Sequence, residues 1–426
     1  MDGPALMLVT DQLPYPPRNG VTLPTFHYLE QLRSTHRISV CLLHAEGAPD
    51  ALRGLADNEQ RYGPIVRVPL RRRALLQRVL AELATLEMVQ HGWQPAAPLD
   101  GLRPSHFDQV LVSPISALAK WRAVQRAHPA LQPRTTVAAV SDCTAAEYQH
   151  RLRSAPRGAG ARAKARLDAL RVPLIARVEA RLLAGCARVL VQTDTDLHIM
   201  RTLVGEATAG RCVVAPNGVQ RELFEVQPVL GEQVLFVAEL SGEYGPVAEW
   251  LCTVVWPRVH AERPGARLMI VGRGASPRLQ GCMAAAAGVE HIAFAPDLAT
   301  VYAAAGMVWS PVFKGFGLIN KTLEAMASGL PVVGGDAAFN GLPGFAEGVH
   351  GLALPAADAP VWAAATLRLL GSEPLRAALG EAGRELVRSG FEWQRSADIL
   401  RQAFALSGTA APRARAAAAP VLADPR

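Results

Sequence analysis

Short apolar runs, each bounded by polar or turn-forming residues, recur along the first half of the chain. The first run covers Ala5 to Thr10, ends before a proline-rich turn, and is followed by a helical pattern that begins near Thr22. A buried run, a turn and an amphipathic segment in this order predict a strand, a loop and a helix. The same alternation recurs in five later runs: Arg37 to Leu43, Pro64 to Leu70, Gln109 to Pro114, Thr135 to Asp142 and Ala187 to Thr193.

A second series of such runs follows the turn at Pro216 to Val219. Strands that alternate with helices are typical of a parallel, doubly wound sheet, whose ligands bind at the carboxyl ends of the strands. We therefore predict an α/β chain with two Rossmann-like doubly wound parallel-sheet domains that face each other across a cleft. The second series comprises Val234 to Leu240, Arg267 to Gly274, His291 to Pro296, Gly306 to Val312 and Leu330 to Gly335.

The length of 426 residues fits two domains, because one hydrophobic core rarely serves a chain of this size. We predict an N-terminal domain over residues 1–212, a C-terminal domain over 213–390, a last helix over 391–406 and a disordered tail over 407–426. No apolar stretch is long enough to cross a bilayer, and the first residues do not resemble a signal peptide. These features predict a soluble cytoplasmic protein.

Charge adds one feature to this picture. The stretch from Arg151 to Arg188 carries ten Arg or Lys residues against two acidic ones. It is either a peripheral contact with an anionic membrane at the inner face of the cell membrane or a solvated helical face. Nucleic-acid binding would need interleaved aromatic residues, which this stretch lacks, so we predict no nucleic-acid partner. The six cysteines are widely scattered, without the paired spacings of metal or redox sites.

The stretch from Ser310 to Val333 carries the candidate chemistry. A buried strand ends there, a loop with Gly315 and Gly317 turns, and a helix begins near Asn320 and ends at Gly329. Such a loop directs backbone N–H groups and the positive end of a helix at one point, which suits a diphosphate. Lys321 adds a positive charge in the first turn. Glu324, which carries a carboxylate, lies one turn later on the same face of the helix.

The sequence LEAMASGLPVV from Leu323 to Val333 resembles the nucleotide-sugar signature of glycosyltransferase family 4. The resemblance implies the GT-B fold, and it implies that Glu324 accepts hydrogen bonds from the ribose hydroxyls of a donor. It extends to the stretches Leu13 to Leu32, Val213 to Val219 and Phe391 to Phe404. These resemble, respectively, the family's first loop and helix, its domain linker, and the closing helix that returns to the N-terminal domain.

The remaining candidate residues follow partly from the resemblance and partly from the loop geometry and the charge of a diphosphate. Gly20 would approach the donor phosphates, with the loop residues Gly315, Phe316 and Gly317 and with Asn320. Val140 to Leu152 resembles a strand end of the family branch that acts in bacterial exopolysaccharide synthesis. The candidates on the acceptor side are Arg18, Asn19 and Asp142, and the candidate catalytic residues are Lys321, Arg273 and His27.

The chain departs from the family pattern in two places. Phe316 stands where the family usually has a first Glu, and Glu239 and Glu243 stand where it usually has an Arg and a Lys. A departing diphosphate needs compensating positive charge in a partly dry cleft. We predict that Lys321 and Arg273 supply this positive charge, and we rank them above Lys314 and Arg18.

Several candidates have a second interpretation. Lys321 is either a ligand or a solvated helix lysine, and Arg273 either faces the donor or pairs with Asp297 or Glu239. His27 either orients an acceptor or lies on an outer helix face. Asp142 lies at a strand end, where it serves the cleft or caps a helix.

The predicted function is transfer of a hexose from a nucleoside diphosphate sugar to a hydroxyl of a glycan or lipid-linked acceptor. The resemblance implies retention of configuration in polysaccharide or glycoconjugate synthesis. We predict no metal and no other cofactor, since the sequence shows no His cluster. Two alternatives remain: a GT-B sugar-nucleotide epimerase, and a catalytically silent GT-B binding or scaffold subunit.

Overall fold

The computed structural model describes residues 3–17, 19–77, 92–97, 99, 102, 107–140, 143–146, 149, 159–313, 317–354 and 358–408. Its strands form two separate sheets. The first contains β1 (Ala5–Thr10), β2 (Arg37–Ala45), β3 (Val66–Arg72), β4 (Trp93–Pro95), β5 (Gln109–Val112), β6 (Thr135–Ala139), β7 (Arg188–Val191) and β8 (Cys212–Val214). The second contains β9 (Gln233–Val237), β10 (Arg267–Val271), β11 (Val289–Ile292), β12 (Met307–Ser310), β13 (Val332–Gly335) and β14 (Leu352–Leu354).

Helices connect these strands and cover both faces of each sheet. In chain order they are α1 (Thr22–Leu32), α2 (Leu55–Tyr62), α3 (Ile115–Ala127), α4 (Ala159–Ala184), α5 (Asp194–Ile199), α6 (Glu206–Ala209), α7 (Arg221–Phe224), α8 (Tyr244–Trp250), α9 (Trp256–Glu262), α10 (Pro277–Ala285), α11 (Leu298–Ala303), α12 (Asn320–Ala327), α13 (Ala359–Leu370), α14 (Glu373–Arg388) and α15 (Trp393–Gly408). Two π-helical turns, Met200–Val204 and Leu251–Val255, continue α5 and α8.

The order of the first sheet is β4-β3-β2-β1-β5-β6-β7-β8, and that of the second is β11-β10-β9-β12-β13-β14. All the described pairings are parallel except that of β3 with β4. The predicted α/β class with two doubly wound sheets is confirmed. Parallel strands covered on both faces are apolar along their whole length, and every residue of β1 is buried.

Three short strands were not predicted. β4 and β14 have three residues each, too few to show a periodic pattern. β8 pairs in parallel with β7, so the first sheet extends to Val214 rather than ending at the predicted limit of 212. The second sheet begins at Gln233, and the segment between the two sheets contains the predicted linker turn at Pro216 to Val219.

The last helix, α15, packs on the first sheet rather than on the second. Leu400, Ala403 and Phe404 lie in the same buried cluster as Tyr28 of α1. The Arg401 guanidinium donates to the backbone oxygen of Gln31, 2.9 Å away. The helix begins at Trp393 and continues to Gly408, so it starts two residues later than predicted. The predicted tail from residue 409 onward lies outside the described residues.

The linker turn is held against the start of α15. The Val219 amide donates to the backbone oxygen of Phe391 at 2.8 Å, and the Ser396 hydroxyl donates to that of Pro216. A Cβ on Gly218 would lie 2.3 Å from the Trp393 nitrogen, so only glycine fits at this crossing. The linker and the start of α15, the two segments at which the chain passes between the domains, therefore contact each other.

Gly329 combines a left-handed backbone conformation with a close contact to the Arg384 side chain. Its φ is +72°, and a Cβ there would lie 2.2 Å from Nη2 of Arg384. Arg384 is buried and donates to the backbone oxygens of Val226 and Ser328, so it cannot move without losing both bonds. We expect Gly329→Ala to lower the free energy of unfolding by about 2 kcal/mol or more, measured by chemical denaturation.

The matched control is Gly281→Ala in α10. A Cβ at Gly281 would meet no atom within 4 Å, and alanine favours a helix more than glycine does. This variant should be as stable as the parent or more stable by up to about 1 kcal/mol. Equal losses of stability in both variants would contradict the role assigned to the Gly329 conformation.

Candidate functional site

The order of the second sheet reverses between β9 and β12, which are neighbours although β10 and β11 lie between them in the chain. Successive strands after β9 extend in one direction, and those after β12 extend in the other. Loops on either side of such a reversal separate and leave a crevice at the carboxyl ends of the strands. The loop after β12 leads directly into α12, the helix predicted to begin near Asn320.

α12 presents an uncapped N-terminus to this crevice. It begins at Asn320, as predicted, and Ile319 before it is extended with no side chain bonded to the first amides. Unbonded N–H groups and the helix dipole at such an end favour an anion. The other end is closed by Gly329, because the Leu330 amide donates to the backbone oxygen of Ala325 at 3.1 Å.

Glu324 is fixed by one of its two carboxylate oxygens. Its Oε2 accepts from the hydroxyl of Tyr302 at 3.0 Å and from Nζ of Lys321 at 2.7 Å. Within the described residues, no hydrogen bond reaches Oε1. The side chain is 15% exposed, so the carboxylate is held in place while one oxygen remains available to a ligand. Two hydroxyls of a vicinal diol can donate to such an oxygen and its neighbour.

Tyr302 is a site residue that the sequence reasoning missed. It lies in α11 and is fully buried, and burial together with the Glu324 carboxylate raises its pKa well above the ordinary value. It therefore stays protonated and donates to Glu324. Only the contact with Glu324 marks this tyrosine as different from a core residue, and that contact joins residues 22 positions apart.

Asn320 joins the start of α12 to the linker. Its Oδ1 accepts from Nδ2 of Asn217 at 3.0 Å, and Asn217 is almost fully buried. The start of α12 and the linker are thus connected by a direct hydrogen bond. The Lys321 amine pairs with Glu324 while the side chain remains 40% exposed, so its role as a ligand stays a prediction.

Arg273 follows β10 at the same edge of the sheet and is exposed. The interpretation in which it pairs with Asp297 or Glu239 is wrong, since neither carboxylate forms an ion pair with it. Asp297 instead accepts from the Ala299 amide at the start of α11, and Glu239 accepts from the Ser241 hydroxyl. The Arg273 guanidinium lies 5.0 Å from the centre of the Phe294 ring.

The loop after β1 holds the first-domain candidates. Asn19 closes the turn before α1: its Oδ1 accepts from the amides of Val21 and Thr22, and its Nδ2 donates to Gln12. The side-chain oxygen of Asn19 is therefore occupied by backbone. Gly20 has open space around it, as has Gly317 in the second domain, since a Cβ at either would meet no described atom within 4 Å.

His27 lies in α1 with its ring stacked on Trp393 of α15. The ring centroids are 4.2 Å apart and the planes differ by 10°. It is neither on an outer helix face, as one interpretation held, nor in contact with Glu324 or Lys321. Burial lowers its pKa to about 4, although Glu30 opposes this shift. A neutral imidazole packed between two helices fits a contact that joins α15 to the first domain.

The remaining candidates, Arg18, Asp142, Gly315 and Phe316, lie outside the described residues. The backbone after Asp142 is described, and the Glu179 carboxylate of α4 accepts there from the amides of Thr144 and Ala145 at 2.7 and 3.1 Å. Cys143 also contacts Glu179. Burial, and to a smaller extent the negative charge of this carboxylate, raises the pKa of the Cys143 thiol to about 12. Cys143 is therefore not a nucleophile at neutral pH.

Known proteins resemble this chain in sequence and in structure. Residues 231–372 match the sequence model described as Glycosyl transferases group 1. The structure superposes on that of HepE from Anabaena, solved with UDP and glucose, with a TM-score of 0.63 over 94% of this chain and 99% of that one, at 14% identity. It superposes on sucrose-phosphate synthase from Thermosynechococcus elongatus with a TM-score of 0.62, covering 94% and 100%, at 18% identity. The chain has the GT-B fold, and its residues 231–372 resemble the glycosyltransferases of that sequence model.

Two curated relatives match over part of their length. Phosphatidyl-myo-inositol mannosyltransferase of Mycobacterium leprae is 29% identical over 228 residues, 50% of this chain and 58% of that protein. D-inositol 3-phosphate glycosyltransferase of Segniliparus rotundus is 31% identical over 264 residues, 56% of this chain and 57% of that protein. This GT-B chain thus spans a little over half the length of the curated relatives it matches. The exopolysaccharide branch stays a prediction.

Among the described residues, no three His, Cys, Asp or Glu side chains gather as metal ligands would. In the same part of the chain, no helix combines the length and the apolar character needed to cross a bilayer.

The buried His27 makes a prediction about acid stability. An unfolded histidine binds a proton near pH 6.5, whereas His27 in the fold binds one only near pH 4. Acid therefore favours the unfolded state between these values, by about 3 kcal/mol when the whole interval is crossed. We expect His27→Phe, which keeps the stack on Trp393, to reduce the loss of unfolding free energy between pH 7 and pH 4.5.

The control for this measurement is His198→Phe, at an exposed histidine of α5. It should leave the dependence of stability on pH as it is in the parent. If His27→Phe and the parent lose the same free energy on acidification, the buried neutral state of His27 is wrong.

Proposed function

We propose that this GT-B chain is a retaining glycosyltransferase that moves a hexose from a nucleoside diphosphate sugar to a hydroxyl of a glycan or lipid-linked acceptor. The observation that carries the proposal is the Glu324 carboxylate, anchored through Oε2 and open at Oε1, beside the N-terminus of α12. The match of residues 231–372 to Glycosyl transferases group 1 supports it. So do the names of the two curated relatives, a mannosyltransferase and a glycosyltransferase.

In this proposal Glu324 binds the ribose and the start of α12 faces the diphosphate. Lys321 has three N–H donors, of which one serves Glu324, so the others are free to meet a phosphate oxygen. Arg273 approaches from the loop after β10 with no acidic partner among the described residues. These two cations and the α12 amides take the place of the Arg and Lys that the family pattern usually has near residues 239 and 243.

The reaction proposed for the sugar is displacement on one face. The bond from the anomeric carbon to the β-phosphate oxygen breaks, and the bond to the acceptor oxygen forms on the same face. The acceptor proton passes to the departing β-phosphate, so the products are the nucleoside diphosphate and the glycoside. Lys321, Arg273 and the backbone N–H groups stabilise the charge that develops on the leaving group.

The linker at Pro216 to Val219 gives a route to closure of the two domains. Asn217 in the linker bonds Asn320 at the start of α12, and the linker itself crosses the start of α15 at Gly218. A donor that binds at α12 therefore lies one hydrogen bond from the segment about which the domains would close. Closure would exclude water and limit hydrolysis of the donor.

The acceptor and the cellular site remain part of the proposal. HepE was solved with UDP and glucose, and both curated relatives are named for inositol-containing acceptors. We propose UDP-sugars as the first donors to test, with D-inositol 3-phosphate and phosphatidyl-myo-inositol as the first acceptors. Peripheral contact with an anionic membrane through Arg151 to Arg188 also stays a proposal, because many of these side chains lie outside the described residues.

Donor binding tests the proposal directly. We expect one of a panel of UDP-, GDP- and dTDP-sugars to raise the free energy of unfolding by about 2.7 kcal/mol at one hundred times its Kd. Glu324→Ala should weaken that donor about ten- to one-hundred-fold, since it removes hydrogen bonds to a charged group. Tyr302→Phe should weaken it less, by about threefold to tenfold, because it leaves the carboxylate but frees its orientation.

Glu290→Ala, at an exposed glutamate on β11, is the matched control and should bind the donor as the parent does. If no donor of the panel binds at millimolar concentration, the proposed function is wrong. If a donor binds and no acceptor in the panel receives sugar while the donor is also not hydrolysed, the silent binding subunit becomes the better interpretation. The presence of Phe316 where the family usually has a Glu, and of Glu239 and Glu243 where it usually has an Arg and a Lys, favours that alternative.

A further inference from the structure

Asp11 occupies the point of the first sheet that corresponds to the crevice of the second. It follows β1 directly, and β1 pairs with β2 on one side and β5 on the other. The order of the sheet reverses between β1 and β5, because the strands after β1 extend one way and those after β5 the other. Side chains at such a reversal face the ligand crevice of a doubly wound sheet. Asp11 is not one of the candidate residues predicted from the sequence.

One carboxylate oxygen of Asp11 is anchored, and the other is buried without a hydrogen-bond donor among the described residues. Oδ2 accepts from the Ser116 hydroxyl and from Nζ of Lys120, both at 2.7 Å. The side chain is only 9% exposed, and that of Lys120 is 18% exposed. Oδ1 is buried and accepts no hydrogen bond from the described residues. Glu324 shows the same arrangement, with one oxygen held by a lysine and a hydroxyl.

The groups around Asp11 are themselves held in place. Nζ of Lys120 lies 5.4 Å from the centre of the Trp93 ring, so the lysine contacts both the carboxylate and an aromatic face. Thr10 accepts from the Gln12 amide and donates to its backbone oxygen, which fixes the chain on either side of Asp11. Gln12 in turn bonds Asn19 at the end of the loop. The Asp11 carboxylate therefore has a defined direction.

A structural ion pair with Lys120 would account for Oδ2 but not for Oδ1. A buried acceptor oxygen without a donor destabilises the fold, and a ligand hydroxyl that donates to it removes this cost. An ionised phosphate has no proton to donate to Oδ1, and the carboxylate repels it. The chemistry therefore selects a neutral hydroxyl of a carbohydrate or polyol ring.

We propose that Asp11 binds a hydroxyl of the acceptor through Oδ1 and so helps to determine which acceptor the enzyme takes. This inference rests on the proposed glycosyltransferase function. Lys120 and Ser116 act as positioning residues, since they hold the carboxylate through Oδ2. Donor binding, which the second domain provides through α12 and Glu324, does not involve Asp11.

The test compares Asp11→Asn with the full-length parent in three measurements: thermal unfolding, Kd for the donor, and kcat and KM for the acceptor. The acceptor probes are D-inositol 3-phosphate and vesicles that contain phosphatidyl-myo-inositol. Asparagine keeps the shape of aspartate but lacks its charge. We expect the KM for the acceptor to rise about ten- to one-hundred-fold, with the Kd for the donor within about twofold of the parent.

Asp50→Asn is the matched control, because Asp50 is 85% exposed and pairs only with Arg53 among the described residues. It should change none of the three measurements. Lys120→Met provides a second variant: it removes the anchor of Oδ2, and we expect it also to raise the acceptor KM while the donor Kd stays unchanged.

An acceptor KM that stays at the parent's value in Asp11→Asn would overturn the inference. So would a donor Kd that weakens in parallel with acceptor use, because Asp11 would then act on the fold or on the donor site. These results differ from failure of the proposed function, in which the parent itself binds no donor.

Discussion

The parallel direction of the strands is the constraint on which the rest of this molecule depends. Apart from the pairing of β3 with β4, every described strand pair is parallel, so the strands of each sheet end at one edge. Loops that follow the strands must gather at that edge, and each sheet reverses its order once. Asp11 and Glu324, on different sheets and more than 300 positions apart in the chain, come to equivalent places for this reason.

Both carboxylates solve the same electrostatic problem in the same way. A largely buried carboxylate needs hydrogen bonds to replace those that it loses with water, yet it needs an oxygen without a donor to bind a ligand. In each case a lysine and a hydroxyl occupy one oxygen: Lys120 and Ser116 for Asp11, Lys321 and Tyr302 for Glu324. The other oxygen then points in a direction that the fold determines. Preorganisation of this kind limits the ordering that a ligand must impose when it binds.

The sequence predicted the sheets and α12 well because these features depend on local patterns. The run from Ala5 to Thr10 is a strand with the predicted bounds, whereas β6, β9, β10 and β11 end three or four residues earlier than predicted. Gly329 ends α12 as its chemistry requires. Three-residue strands such as β8 carry too little pattern to be predicted. The partners of the carboxylates could not be predicted either, because the bonds from Tyr302 to Glu324 and from Lys120 to Asp11 join residues that only the tertiary fold brings together.

The central claim is that the free oxygen of Glu324 binds the ribose of a nucleotide, and a comparison of two nucleotides tests it most directly. Titration calorimetry would give the Kd of the ribonucleoside diphosphate that binds and of its 2′-deoxy counterpart, for the parent and for Glu324→Ala. We predict that the parent binds the ribonucleotide about tenfold more tightly and that Glu324→Ala binds both alike. Equal affinity of the parent for both nucleotides, or discrimination that persists in Glu324→Ala, would contradict this account.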